Sequence, residues 1–301
     1  MDEIQAEKRP MILCENLVKI YKTAEIEVVA LQGLDLAIEE GELMAIIGNS
    51  GSGKSTLLNM LGCLDTPSAG NLYVDSQNVQ KLTPREIIRY KRETVGFVWQ
   101  NNARNLIPYL SAEENVSIPN RLSGIKAHFS PAELLEMVGL SHRRHSRLYE
   151  LSGGEQQRVA IAIGIANNPK ILLADEPTGA VDTKTTRQIL EVFQELNRTL
   201  GLTIVVVTHD RLFTKLVDRI VFIQDGKISS EMLRRSYSEE IEELEEEDNY
   251  SLLSTHEEFS IIDKSNRIHI PSDFTDAVGI GSGDKVKIEL RDGQIILTKP
   301  Q

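Results

Sequence analysis

The sequence predicts an α/β fold built on a parallel sheet, with a small β-rich unit at its end, and three observations predict it. Apolar runs of strand length, Leu43-Met-Ala-Ile-Ile47, Ile171-Leu-Leu-Ala174 and Thr203-Ile-Val-Val-Val-Thr208, are separated by stretches that read as helices. The first run opens onto Gly48-Asn-Ser-Gly-Ser-Gly-Lys54-Ser55-Thr56 and then the helical Leu57-Leu58-Asn59-Met60-Leu61, which is the strand, loop and helix order of a phosphate-binding loop. Near the end, Lys285-Val-Lys-Ile-Glu-Leu290 alternates strictly, so one face of that strand is apolar.

Residues from about 11 to 45 read as strands alternating with turns. In the loop that follows, glycines let backbone N–H groups close around phosphate oxygens and the helix N-terminus adds positive potential. Lys54 reaches the terminal phosphates, and the Ser55 hydroxyl can ligand Mg²⁺. Three helix starts then repeat one grammar: Thr83-Pro84-Arg85-Glu86, Ser111-Ala-Glu-Glu114 and Ser130-Pro131-Ala132-Glu133. Each sets a hydroxyl at the N-cap and Glu at the third helical position, the reciprocal capping box. Between Gln100 and Leu151 helical signals dominate, with Leu134, Leu135 and Val138 on one face and Gly139 as a stop. Leu151-Ser-Gly-Gly-Glu-Gln-Gln-Arg158 places Ser152, Gly153 and Gly154 at the start of a helix read as Glu155 to Ala166, a second set of free amides beside a positive dipole end. Ile171-Leu-Leu-Ala-Asp175-Glu176 is an apolar strand ending in two carboxylates. A helix around Arg187 to Leu200 precedes Thr203–Thr208 and its following His209, and Arg219-Ile-Val-Phe-Ile-Gln-Asp-Gly-Lys-Ile228 completes the alternation.

With 301 residues, 41% hydrophobic and 26% charged, the chain has room for one large core and a small second unit. No apolar stretch approaches the roughly 18 to 20 residues that span a bilayer, and the start lacks a signal-peptide core, so a cytoplasmic chain is expected. Cys14 and Cys63 form no metal or redox spacing and read as buried, reduced thiols. The net charge of −12 is concentrated in Glu239-Glu-Ile-Glu-Glu-Leu-Glu-Glu-Glu-Asp248, which reads as a solvated linker and argues against general nucleic-acid affinity. The absence of an Asn-Lys-x-Asp segment weakens a GTPase reading.

One nucleotide rarely needs two anion sites from distant segments unless the second belongs to another subunit. On its phosphate loop and its Leu151–Arg158 segment, the sequence resembles the ATP-binding cassette family, whose signature is LSGGQ; here Glu155 precedes Gln156. The resemblance implies an α/β P-loop NTPase over residues 1–232, with an antiparallel β subdomain and an α-helical subdomain at about 101–150. ATP would lie against Tyr21, stacked on adenine, and against Gly48, Asn49, Ser50, Gly51, Ser52, Gly53, Lys54, Ser55 and Thr56. The signature residues Ser152, Gly153, Gly154 and Glu155 would face the partner's phosphate loop, making two ATP molecules the adhesive of a head-to-tail homodimer. Asp175 would hold the Mg²⁺ sphere together with Ser55 and Gln100. Glu176 would be the general base, His209 would contact the γ-phosphate, and Gln100, closing Val95-Gly-Phe-Val-Trp99-Gln100, would ligate metal and water. Ala180-Val181-Asp182 resembles the D-loop. Ile171-Leu-Leu-Ala-Asp-Glu-Pro-Thr-Gly179 is similar to ATPases of lipoprotein-releasing and macrolide-export systems, which serve separately encoded permeases. The chain would then sit on the cytoplasmic face of the membrane, with the loop after Gln100, to about Ser123, receiving the permease.

The tail changes style. Residues 233–257 read as the acidic linker, and 258–301 resemble the AbrB/MazE swapped-hairpin domain, with a hairpin turning at Asp292-Gly293. Two copies of that domain interleave, which implies that the tail dimerises and clamps the ATPase subunits together. Lys264, Arg267, Lys285, Lys287, Arg291 and Lys299, with His269, face slightly more acids, and Asp273-Phe-Thr-Asp276 lies where DNA-binding relatives often carry arginines. DNA binding by the tail is therefore not expected. The alternative is a cytosolic regulatory ATPase whose tail binds DNA or a protein; a single cassette favours the transporter.

Overall fold

The computed structural model describes residues 10–22, 26–100, 105–124, 127–179, 181–210, 217–234, 256–262, 268, 270, 272–281, 284–291 and 293–298. The chain divides into two units, Met1–Glu258 and Phe259–Gln301. The acidic run at 239–248, and with it most of the expected linker, lies outside the described residues.

In the first unit, β1 (Ile12–Lys22) pairs antiparallel with β2 (Glu27–Ile38) and with β4 (Ala69–Val74), which in turn pairs with β5 (Gln77–Asn78). The resulting four-stranded sheet has the order β2-β1-β4-β5. A second sheet holds β3 (Leu43–Ile47), β6 (Val95–Val98), β7 (Ile171–Asp175), β8 (Thr203–Thr208), β9 (Arg219–Gln224) and β10 (Lys227–Arg234) in the spatial order β10-β9-β3-β8-β7-β6. All its neighbours are parallel except the β9–β10 hairpin.

Burial on both faces explains why β3, β7 and β8 read as continuous apolar runs. Successive side chains enter opposite cores. Leu43, Ala45, Leu172, Ala174, Ile204 and Val206 join one core with α5 (Gly153–Ile165) and α6 (Thr183–Leu200). Met44, Ile46, Leu173, Val205 and Val207 join the other, with α1 (Lys54–Leu61) and inward residues of the antiparallel sheet. Three further helices are found among the described residues: α2 (Pro84–Glu93), α3 (Ala112–Ser123) and α4 (Pro131–Met137). All three carry the capping boxes that the sequence spelled at Thr83, Ser111 and Ser130. Leu134, Leu135 and Val138 are fully buried. Among the described residues no helix is long and apolar enough to cross a membrane.

Cys14 is buried as expected, whereas Cys63 is only half-buried, in the turn after α1 at φ 52°. Burial pushes the Cys63 thiol up to about 11 and holds Cys14 higher still. On α2, the buried Tyr90 hydroxyl donates to the carbonyl of Leu61 at 2.5 Å, tying α2 to the end of α1. Tyr90→Phe leaves that carbonyl unpaired in the core, so chemical denaturation should read a loss of about 1–2 kcal/mol with an unchanged m-value.

In the second unit, β12 (Lys287–Arg291) pairs antiparallel with β13 (Gln294–Thr298) through Gly293 at φ 80°; Asp292 of the expected turn lies outside the described residues. The register sets Ile288 opposite Leu297 and Leu290 opposite Ile295, which gathers the apolar side chains on one face. Ile288, Leu290 and Ile295 are 67%, 76% and 71% exposed, so that face is uncovered among the described residues. A short helix, α7, spans Ser272–Ala277, and β11 spans His256–Ser260.

Candidate nucleotide site

Strands β3, β8 and β7 are parallel neighbours, so their carboxyl ends open on one edge of the sheet, the place where open α/β sheets take ligands. Gly48–Thr56 follows β3, Asp175 and Glu176 end β7, and His209 follows β8. Gly48–Gly51, Gly53–Thr56, Glu176 and His209, together with Gln100 past β6 and with Tyr21, Val28 and Ala30 from the antiparallel sheet, line one cavity of about 770 Å³; Ser52 and Asp175 are not among its lining residues, and Asp175 joins it through Ser55.

The phosphate loop is shaped by its glycines. Gly53 caps α1 at φ 103°, and a Cβ there would lie 2.5 Å from the Ala30 carbonyl oxygen; one on Gly48 would lie 2.2 Å from that of Ile223. The helix begins at Lys54, three residues before the apolar run that marked it, so the first-turn amides belong to the loop itself. Lys54 is 7% exposed and its ammonium donates to the carbonyls of Gly48 (2.8 Å) and Asn49 (2.9 Å). Burial lowers its pKa, an effect opposed by Glu176 and Asp175. Ser55 Oγ donates to Asp175 Oδ1 at 3.1 Å, so the hydroxyl and the carboxylate converge from two distant chain segments.

Glu176 adopts φ 47°, a left-handed backbone that a β-unbranched side chain pays for with strain of roughly 1–3 kcal/mol. The conformation is held by its own N–H donating to the Val207 carbonyl at 2.8 Å. Its carboxylate accepts from the Thr208 hydroxyl (3.3 Å) and the His209 N–H (3.4 Å), and it lies 2.9 Å from His209 Nδ1. The carboxylate is 14% exposed and the imidazole 72%, which leaves the ring's far edge free to meet a ligand. The chain around Gln100 is held by Asn105, which the sequence reading did not single out. Asn105 Oδ1 accepts from the Trp99 N–H (3.1 Å) and its Nδ2 donates to the Trp99 carbonyl (2.9 Å); residues 101–104 lie outside the described set.

The signature residues are not among the described residues lining this cavity. Ser152 caps α5 and, with Glu155, forms a fourth capping box; Glu155 also pairs with Arg143 at 2.9 Å. Partial burial raises the Glu155 carboxyl, but the amide and hydroxyl of Ser152 and the Arg143 guanidinium outweigh it and hold the group below its usual range. Ser152 and Gly153 are exposed, whereas Gly154 is buried, and a Cβ there would lie 2.0 Å from Thr185 Cγ2. Gly154 thus permits α5 and α6 to touch. Asp182, expected in the D-loop, caps α6 by accepting from the Lys184 and Thr185 amides and the Thr185 hydroxyl, bonds that lower its pKa. Ala180 lies outside the described residues.

Comparison with known proteins places this geometry. The family described as "ABC transporter" matches residues 31–179, and the family described as "Antidote-toxin recognition MazE, bacterial antitoxin" matches residues 260–301. The chain is 43% identical over 236 residues to the uncharacterized ABC transporter ATP-binding protein MJ0796 of Methanocaldococcus jannaschii, covering 76% of this chain and 100% of that protein. It is 42% identical over 222 residues to the lipoprotein-releasing system ATP-binding protein LolD of Pseudoalteromonas translucida, covering 73% and 95% of the two chains. The macrolide export ATP-binding/permease protein MacB of Hyphomonas neptunium is 43% identical over 225 residues, which span 74% of this chain and 34% of that larger protein. Among solved structures, a dimeric ABC transporter cassette, MJ0796, superposes with TM-score 0.68 at 42% identity, over 75% of this chain and 100% of that one. The same cassette in a post-hydrolysis dimer bound to ADP and Pi gives TM-score 0.68 at 41% identity.

Proposed function

The chain belongs to the ATP-binding cassette transporter ATPases, and from that membership we propose that it is the ATP-hydrolysing subunit that drives a separately encoded membrane permease, working as a head-to-tail homodimer on the cytoplasmic face of the membrane. One observation carries the reading. A single cavity gathers Tyr21, the phosphate loop, Gln100, Glu176 and His209, while the exposed residues Ser152 and Gly153 start a helix outside it. That division suits a site completed by a second chain, whose signature supplies the remaining positive helix end.

The donor set fits Mg²⁺. Ser55 Oγ and Asp175 Oδ1 are hard oxygens already 3.1 Å apart, and Gln100 lines the same cavity. When bound, the ion would neutralise charge on the β- and γ-phosphates. Lys54 would turn its ammonium from the loop carbonyls to phosphate oxygens. Glu176, oriented by Thr208 and His209, would hold the attacking water and take its proton. His209, anchored on one side by Glu176, would offer its other ring nitrogen to the γ-phosphate. Asp182 would meet the partner chain while capping α6. The segment from Gln100 to about Ser123 would receive the permease; Asn102 to Arg104 within it lie outside the described residues.

The finer reading of the tail is that two Phe259–Gln301 units cover each other's apolar hairpin faces and tether the ATPase pair. It is supported by the exposure of Ile288, Leu290 and Ile295. Lys287 and Arg291 share one carboxylate, Glu289, and Lys285 is the further cation among the described tail residues, so they form no extended basic surface for DNA; Lys264, Arg267, His269 and Lys299 lie outside that set. The regulatory alternative is the weaker one, since LolD and MacB are transport proteins by name.

Isolation of the full chain from membranes, assayed for ATP turnover, tests the proposal. An integral membrane permease should co-purify, and turnover should vanish with EDTA and return with Mg²⁺. Recovery of the chain without any membrane partner, or turnover that persists in EDTA, contradicts it.

A further inference from the structure

We propose that Asp65 and Lys19 are positioning residues for the nucleobase, holding the ring of Tyr21 in the orientation in which adenine stacks on it. The inference rests on the reading of Tyr21 as the base platform. Tyr21 stands near the end of β1, is 40% exposed and lines the cavity on the side of Val28 and Ala30. A phenol at that exposure has few packing neighbours to fix its ring. Polar contacts supply the restraint.

The Tyr21 hydroxyl donates to Asp65 Oδ2 at 2.7 Å, and Lys19 Nζ stands over the ring, 4.8 Å from its centroid. The two anchors are joined, because Lys19 Nζ also donates to Asp65 Oδ1 (2.5 Å) and to the Thr66 carbonyl (2.9 Å), and Asp65 Oδ1 accepts the Thr66 N–H at 2.7 Å. Both oxygens of Asp65 are therefore engaged as acceptors. The Lys19 side chain is 11% exposed and that of Asp65 25%, so the pair is sheltered from solvent competition. The hydrogen bonds from Lys19, Tyr21 and the Thr66 amide keep the Asp65 carboxyl below its usual range, against partial burial.

Asp65 lies four residues past α1, the helix whose first turn belongs to the phosphate loop. One rigid helix of about 12 Å thus carries the phosphate anchor at its start and, just beyond its end, the group that orients the base platform. A ring held in advance loses less rotamer freedom when the base arrives, and a cation at the π-system strengthens its hold on the ring. The base and the triphosphate are then registered against the same element.

The test uses the full chain, with ATP and inorganic tripolyphosphate as ligands; the second has the phosphates and no base. Asp65→Asn keeps the shape but has a single acceptor oxygen for donors that now use two, and Tyr21→Phe removes the same bond from the other side. Each should raise the Kd and KM for ATP by about three- to tenfold, while in Asp65→Asn kcat and the tripolyphosphate Kd stay within about twofold. The double variant should be no worse than the more damaging single one, since both cut one interaction. Unchanged ATP affinity in either single variant, or equal losses for ATP and tripolyphosphate, overturns the proposal. Tyr21→Ala separates the two levels of the argument. If it leaves the preference for ATP over tripolyphosphate intact, the platform reading itself fails; if it abolishes that preference while Asp65→Asn does not change it, only the positioning role fails.

Discussion

Glu176→Gln should lower ATP turnover by about 10²- to 10⁴-fold while leaving ATP affinity close to that of the unaltered chain. The amide is isosteric and can still accept from Thr208 and His209, so the left-handed backbone at φ 47° and the shape of the cavity should survive. What is lost is the capacity to take a proton from water. The variant should therefore accumulate with ATP bound, and single-turnover measurements with labelled ATP should find slow chemistry after normal binding. Turnover near that of the unaltered chain would remove Glu176 from the role of base. Thr208→Val provides a milder companion: it deletes one donor to the carboxylate and should cost less than Glu176→Gln.

Lys54→Ala should weaken ATP binding by about 10- to 100-fold, the range expected when a hydrogen bond to a charged group is lost. The ammonium is held at the phosphate loop by two carbonyls, and burial lowers its pKa, a cost to the charge that a bound phosphate would relieve. Substitution should therefore affect nucleotide binding more than folding. Equilibrium titration with ATP, paired with a denaturation curve without nucleotide, distinguishes the two. A large loss of stability with unchanged affinity would contradict the assignment. The two variants differ in kind, since one removes binding and the other removes chemistry from a site that still binds.

Much of this site was legible because its parts are local. The loop from Gly48 to Thr56, the carboxylate pair ending β7 and the histidine following β8 are each a few residues long. Each sits beside a buried parallel strand that the sequence writes as an unbroken apolar run. Capping boxes at Thr83, Ser111 and Ser130 are equally local. The fourth, Ser152 with Glu155, obeys the same three-residue rule within the segment that carries the signature. Asp182 likewise has the residue type and position of an N-cap.

Other features depend on long-range contact and carry no sequence signal. Asp65 meets Tyr21 across 44 positions, and Gly154 is needed at its place because Thr185 of another helix lies against it. The half-exposure of Cys63 follows from where the turn after α1 falls, which no spacing specifies. Asn105 brackets Trp99 from six residues away, a pairing that no motif announces. A motif can name the groups that touch a ligand. The groups that hold them are visible only when the chain has folded.

The central claim, that one chain's phosphate loop and another chain's signature enclose the same nucleotide, is open to a direct chemical measurement. Ser50 and Ser152 are both exposed, so Ser50→Cys in one preparation and Ser152→Cys in another place accessible thiols on the two surfaces, while Cys14 stays buried and Cys63→Ser removes the half-buried one. The two preparations are mixed and treated with a short bifunctional thiol reagent, with and without ATP, in the Glu176→Gln background that retains nucleotide. A covalent dimer that needs both cysteines and increases with ATP is the predicted result. Recovery of only monomeric chains under both conditions would contradict the shared site.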